Sequence, residues 1–305
     1  MIKQIYSALK VSKSIWIFFF IILLAASAKA GLSADTTKKR LLAATSAKDN
    51  AAYITLEPNV VFPEVLAGNE QETIAYIEKF SENRRAYLIR TFTRSKKYFP
   101  KVTTILKKHD LPQELKVLLA LESAFNGNAV SKAGAVGYWQ IMDEVAKEYG
   151  LKYVTQAKKE EKKKADKKKV DKTTPSAKTT AKKPAAPKDD RKNFNKSTYA
   201  AARYLKDRSR NLNNNLLLMV ASYNCGIGNV WDAMKKSGKA DPDFWDIKAY
   251  LPSETQAYVM NFITLNVVFH NYEKFTGNTL LFTPTRVKIE NVAGKIAEET
   301  TSLND

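Results

Sequence analysis

The chain has 305 residues, 44% of them hydrophobic and 10% aromatic, which is enough apolar material for one substantial core with a smaller flanking region. Lysine and arginine number 50 against 31 acids, a net charge of +19 that favours a polyanionic partner, yet no zinc-finger or RNA-binding signature accompanies it, and nucleic acid is not the expected partner. The single cysteine, Cys225, rules out a disulfide within the chain.

The first residues read as an export leader. Lys3, Lys10 and Lys13 precede the apolar run Ile15 to Ala26, and Ala28-Lys29-Ala30 supplies a small-x-small cleavage site, so residues 1–30 are expected to be a signal peptide. The apolar run is shorter than the roughly 20 residues a helix needs to cross a hydrocarbon core, which argues against an anchor. No cysteine lies near the cleavage site to be acylated, and the destination is expected to be the periplasm or cell envelope. Loss of Lys3, Lys10, Lys13 and Lys29 with the leader leaves +15.

Residues 31–68 read as a flexible tether, polar to about Asn50, and then as an extended piece at Val60-Val61-Phe62-Pro63. Helical spacing begins at Glu70 with Ile74, Ile77 and Phe80, and continues through Tyr87, Ile89 and Phe92 to Val102, Ile105 and Leu106. A further helix is expected from near Pro112 through Leu115, Leu118, Leu119 and Leu121 to Glu122. Gly127, Gly134 and Gly137 break the pattern. Asp143 is expected to cap a short helix that stops at Gly150.

Residues 157–188 hold thirteen lysines and four acids without one aromatic side chain, a composition expected to form a disordered insertion. Helical spacing resumes at Ser197, an expected N-cap, and again from Leu216 to Tyr223, and a last helix runs from Glu254 to Phe269. The fold class is therefore all-α. The catalytic domain is expected over residues 69–285, interrupted by the insertion, with a tail at 286–305.

Chemistry is sparse. His109 and His270 stand apart, with no cysteine or acid at ligand spacing, and neither a phosphate loop nor a G-x-S-x-G elbow occurs, so no metal or cofactor is expected. Carboxylate chemistry remains. Glu122 ends an apolar helix and faces a loop, a half-buried setting that could lift a carboxyl pKa towards about 6 to 7, where a general acid works near neutral pH. By itself a glutamate at a helix end is most often a solvated surface residue. Its context is Ser131 and then Gly134-Ala135-Val136-Gly137-Tyr138-Trp139-Gln140-Ile141-Met142. Aromatic and thioether faces suit the apolar side of a sugar ring, and an amide can bridge its hydroxyl or N-acetyl groups. A buried loop packed under the core would read the same way.

These segments, together with Ser222-Tyr223-Asn224-Cys225-Gly226-Ile227-Gly228, Arg203-Tyr204-Leu205 and Leu251-Pro252-Ser253-Glu254-Thr255-Gln256-Ala257-Tyr258-Val259, resemble the lytic transglycosylase domain of soluble lytic murein transglycosylases. Their order and spacing resemble the branch of membrane-bound lytic murein transglycosylase D. The resemblance spans about Ser81 to Phe269 and implies a lysozyme-like fold and peptidoglycan glycan strands as substrate. It implies Glu122 as catalytic acid and base, a hydrogen bond from Tyr223 near it, and Ser131, Gln140, Met142, Tyr223, Asn224 and Glu254 along the glycan cleft, with Tyr258 structural. Asp143 stands where many members carry Pro and Cys225 where many carry Ala. No LysM wall-binding repeat is read after Phe269, which leaves the lysine-rich insertion as the expected contact with anionic envelope polymers.

Ordinary glycosidases flank the scissile bond with two carboxylates, and no convincing second one is read here. The resemblance implies instead that the muramoyl 6-hydroxyl attacks its own anomeric carbon and leaves a 1,6-anhydro ring. The alternatives are a lysozyme-like muramidase, which needs a placed water or a second carboxylate, and a non-catalytic wall-binding scaffold.

Overall fold

The computed structural model describes residues 53–155 and 188–288. The expected signal peptide, the tether up to residue 52, the lysine-rich insertion apart from Lys188, and the tail beyond residue 288 lie outside the described residues. The described chain is mainly helical, as the apolar spacing predicts.

Two units can be distinguished. In the smaller one, β1 (Tyr53–Leu56) pairs antiparallel with β2 (Thr285–Lys288), with Tyr53 opposite Lys288 and Leu56 opposite Thr285. The larger unit, Glu57–Pro284, holds α1 (Glu70–Asn83), α2 (Arg85–Lys108), a 3-10 turn (Gln113–Val117) leading into α3 (Leu118–Ser123), and α4 (Asp143–Glu148). It continues through α5 (Phe194–Asn211), α6 (Leu216–Cys225), α7 (Ile227–Ser237), α8 (Phe244–Ile247), α9 (Ser253–His270) and α10 (Tyr272–Thr276).

The core is built around α6 and α9, which pack against each other. Their sequences are apolar on all sides, and nearly every residue from Leu217 to Ser222 and from Val259 to Val268 is buried, as expected of helices enclosed by others. The amphipathic α1 lays Ile77 against α9 and adds a hydrogen bond from the Tyr76 hydroxyl to Asn261 Oδ1 at 2.8 Å. The extended segment before α1 belongs to the same unit. Asn271 donates through Nδ2 to the Val61 carbonyl at 2.6 Å and accepts from the Val61 N–H at 3.0 Å, and the Asn59 N–H reaches the Leu281 carbonyl at 3.0 Å.

Two capping expectations fail, one to a distant partner and one to an earlier helix start. Asp143 caps nothing, because its carboxylate is paired with Arg191. Ser197 lies inside α5, buried, with its hydroxyl donating to the Asn193 carbonyl, and the N-cap is Asn193, whose side chain accepts from the Lys196 N–H at 3.0 Å.

Candidate active site

Glu122 sits in the last turn of α3, a helix so apolar that Leu118, Leu119 and Ala120 are fully enclosed and only its C-terminal end reaches the surface. The chain then reverses through Ala124 (φ 47°) and Phe125 (φ 66°), two consecutive non-glycine residues in the left-handed region. Such backbone costs about 1–2 kcal/mol per residue and is kept only where the surroundings hold it. Here Phe125 is buried and stacks on Tyr98 of α2 at 5.1 Å, while the Ser123 hydroxyl donates to the Tyr138 carbonyl at 2.7 Å. Helix end, reversal and the following loop are thereby locked together around one carboxyl group.

The carboxyl is half-buried, and burial pushes its pKa from the ordinary 4.5 up to about 7 against the opposing effect of one hydrogen bond. That bond comes from Tyr258 of α9, whose hydroxyl donates to Glu122 Oε1 at 2.5 Å. Tyr258, expected to be structural, is thus the direct partner of Glu122. Tyr223 of α6 is also close: burial first and the neighbouring Glu122 second hold its phenol well above the usual value. Its hydroxyl, however, donates to the Trp139 carbonyl at 2.8 Å, so Tyr223 joins α6 to the loop wall instead of to the carboxyl. No described acidic residue contributes to the Glu122 shift.

The Gly134–Met142 run forms the adjoining wall. Trp139 is its anchor, 1% exposed, with the indole N–H donating to Thr198 Oγ1 at 3.0 Å. Gly137 adopts φ +87° and lies so close to the Arg191 carbonyl that a Cβ there would stand 2.0 Å from the oxygen. Ser131 closes the turn before it, donating its backbone N–H to the Ala135 carbonyl at 2.9 Å and accepting the Ala135 N–H through Oγ at 3.0 Å. Gln140, at φ 46°, donates through Nε2 to the Gly137 carbonyl at 2.8 Å, which braces the run from within. Met142 is 37% exposed at the start of α4. Asn224 accepts the Thr255 hydroxyl through Oδ1 at 2.7 Å, and Glu254 is exposed in the first turn of α9, four residues before Tyr258. That i, i+4 spacing was the signal for Tyr258, since it places both residues on one helix face.

Behind the wall lies Arg191, 1% exposed, a residue that sequence reasoning passed over. Its guanidinium pairs with Asp143 and with Asp189 (2.9 Å) and donates to the carbonyls of Ile141 (3.3 Å) and Val154 (3.2 Å). The Lys152 carbonyl accepts the Asp190 N–H at 2.7 Å. The chain on the two sides of the insertion therefore meets at one buried ion cluster, directly beneath the loop that carries Gln140 and Met142.

Among the described residues no group of three or more His, Cys, Asp and Glu side chains is placed to hold a metal ion. No described helix is long and apolar enough to cross a membrane.

Residues 103–169 and 172–245 match the family model of the Transglycosylase SLT domain. The chain is 28% identical over 200 residues to membrane-bound lytic murein transglycosylase D of Escherichia coli K12, a match covering 65% of this chain and 37% of that protein. It thus spans little more than a third of the length of the curated relative. Among solved structures, a lytic transglycosylase Slt inactive mutant from Pseudomonas aeruginosa aligns at 22% identity with a TM-score of 0.38, covering 59% of this chain and 24% of that one. The 70 kDa soluble lytic transglycosylase from Escherichia coli aligns at 20% identity with a TM-score of 0.39, covering 71% of this chain and 33% of that one.

Proposed function

We propose that this chain, which resembles the lytic transglycosylases and matches their SLT domain over residues 103–169 and 172–245, is a peptidoglycan lytic transglycosylase that acts in the cell envelope. The observation that carries the reading is a single half-buried carboxyl, Glu122, brought to about pH 7 by burial and held by Tyr258. With that pKa the group is populated in both protonation states near neutrality, as one residue serving first as acid and then as base requires.

In the first step Glu122 gives its proton to the oxygen bridging N-acetylmuramic acid and N-acetylglucosamine, and the bond from the muramoyl anomeric carbon to that oxygen breaks. The departing sugar leaves with the proton. Glu122, now a carboxylate, takes the proton of the muramoyl 6-hydroxyl, whose oxygen bonds to the anomeric carbon and closes a 1,6-anhydro ring. Water is not consumed. Tyr258 orients the carboxyl and stabilises its charged form between the steps, because a hydrogen bond to a carboxylate favours ionisation. Tyr223, through Trp139, fixes the wall beside it. Met142, Asn224 and Glu254 meet the glycan, whereas Ser131 and Gln140 shape the loop that does so.

Mass analysis of the soluble fragments released from purified sacculi tests the reading. Anhydro ends are expected; reducing ends would make the protein a lysozyme-like muramidase, and no release would make it a wall-binding scaffold. The same reading places residues 1–30 as an export leader and assigns the lysine-rich insertion to anionic envelope polymers.

A further inference from the structure

Away from Glu122 the larger unit holds a cavity of about 710 Å³, walled by α2, the C-terminal end of α9, α10 and the extended segment at Val61. That volume lies in the range of about 300–1,000 Å³ found for small-ligand sites. Its apolar wall is aromatic. Phe92 and Tyr272 lie face to face with ring centroids 3.5 Å apart, and Phe269 meets Phe92 edge-on at 5.2 Å. From there a row of rings runs to Phe99 at 6.3 Å and on to Phe125 at 5.9 Å, so the cavity stands at the far end of a packed aromatic path from the reversal after Glu122. No residue of α3, of the Gly134–Met142 wall or of α6 lines it.

The polar lining divides into groups that are committed and groups that are not. Asn271 is bound to Val61 and to the Val267 carbonyl (2.8 Å), and Lys274 donates to the Asn59 carbonyl at 2.7 Å, so both serve to hold the wall together. Lys96 and Glu273 differ. Both are exposed and both line the cavity, yet neither forms an ion pair with a described residue, nor do they pair with each other. Lys96 Nζ stands over the aromatic wall, 5.6 Å from the Phe92 ring centroid. Two opposite charges that line one cavity without neutralising each other leave a donor and an acceptor for a ligand, each able to form a charge-assisted hydrogen bond.

We propose that this cavity binds a short peptide with free ends, its carboxylate at Lys96, its ammonium at Glu273 and an apolar side chain against Phe92, Phe269 and Tyr272. A simple anion would meet Glu273 and a simple cation Lys96, and in each case a like charge opposes entry, whereas a zwitterion answers both. An uncharged sugar would use the rings and leave the two charges without partners. The site goes beyond the reaction at Glu122, because it gives the protein a second ligand, held by residues that the cleft does not share.

The test is a calorimetric titration of the full chain with the tripeptide Ala-Leu-Ala, with its N-acetylated form and with its C-amidated form, on the wild type and on Lys96→Gln and Glu273→Gln. Glutamine keeps helix propensity at these exposed positions, and thermal melting confirms the fold of each variant. The wild type is expected to bind the tripeptide saturably and each capped form roughly tenfold more weakly, the size of one hydrogen bond to a charged group. The variants should then cross over. Lys96→Gln is expected to bind the tripeptide and its amide equally while still disfavouring the N-acetylated form, and Glu273→Gln to show the reverse pattern. Absence of saturable binding by the wild type overturns the proposal, as does equal affinity for the three peptides or retention of both preferences by either variant. Failure of the wild-type protein to cleave sacculi overturns the transglycosylase reading alone, since the peptide titration does not depend on turnover.

Discussion

At the scale of single residues, everything turns on how tightly the fold holds one proton. Because the folded protein keeps the Glu122 carboxyl neutral to about pH 7 instead of 4.5, the stability tied to the neutral form is complete below 4.5 and is lost as pH rises through 7. Glu122→Gln, which cannot ionise, should abolish that loss. The variant is expected to be relatively more stable than wild type at pH 8 than at pH 4, by no more than about 3 kcal/mol, in urea melts at the two pH values. Its activity should fall by at least 10²- to 10⁴-fold, roughly the contribution of a positioned acid and base, and near-normal release of fragments would remove Glu122 from the mechanism. The two tyrosines should separate. Tyr258→Phe deletes the bond that favours the carboxylate, so the fall of kcat/KM above neutrality should move to higher pH while turnover drops roughly tenfold or more. Tyr223→Phe leaves the carbonyl of buried Trp139 without its partner, and should cost about 1–2 kcal/mol in melting experiments without moving the pH profile.

At the scale of elements, α1 to α6 and α9 were readable from their apolar spacing, whereas α7, α8 and α10 went unread, and further difficulties lay at junctions. Helix α3 could be read up to Glu122 because Leu115, Leu118, Leu119 and Leu121 define its buried side. The left-handed pair Ala124 and Phe125 could not, since neither residue favours that backbone and it is contacts from distant parts of the chain, the stacking of Phe125 on Tyr98 and the Ser123 bond to Tyr138, that sustain it. Asp143 looked like a cap because local rules know nothing of Arg191, 48 residues away across the insertion. Tyr258 shared a helix face with Glu254, yet its bond to Glu122 spans 136 positions and has no local trace. The junction is also where the fold should be most fragile. Arg191→Met should strand Asp143 and Asp189 without their counter-charge and cost about 3–5 kcal/mol in urea unfolding. Gly137→Ala drives a methyl group into the Arg191 backbone and should cost at least about 3 kcal/mol, an expectation that a wild-type melting temperature would refute.

At the scale of the whole molecule, the described chain on the two sides of the excursion expected over residues 157–188 meets at a closed neck: Lys152 and Val154 on the outgoing side, Asp189, Asp190 and Arg191 on the returning side. Replacing 157–188 by a short Gly-Ser linker should therefore preserve the melting temperature and the cleavage of small soluble glycans, while weakening attachment to sacculi at low salt. Loss of folding would mean that the excursion contributes to the core. The neck also divides the machinery, with Glu122 and the Gly134–Met142 wall before it and Tyr223, Asn224 and Tyr258 after it. Since Arg191 fastens one half to the other by ion pairs and hydrogen bonds, cutting the backbone anywhere in the excursion should leave two polypeptides that stay together as a noncovalent pair. The protein is a natural candidate for fragment complementation: two inactive pieces, each lacking half of the site, should regain glycan cleavage on mixing, and only if Arg191 is intact.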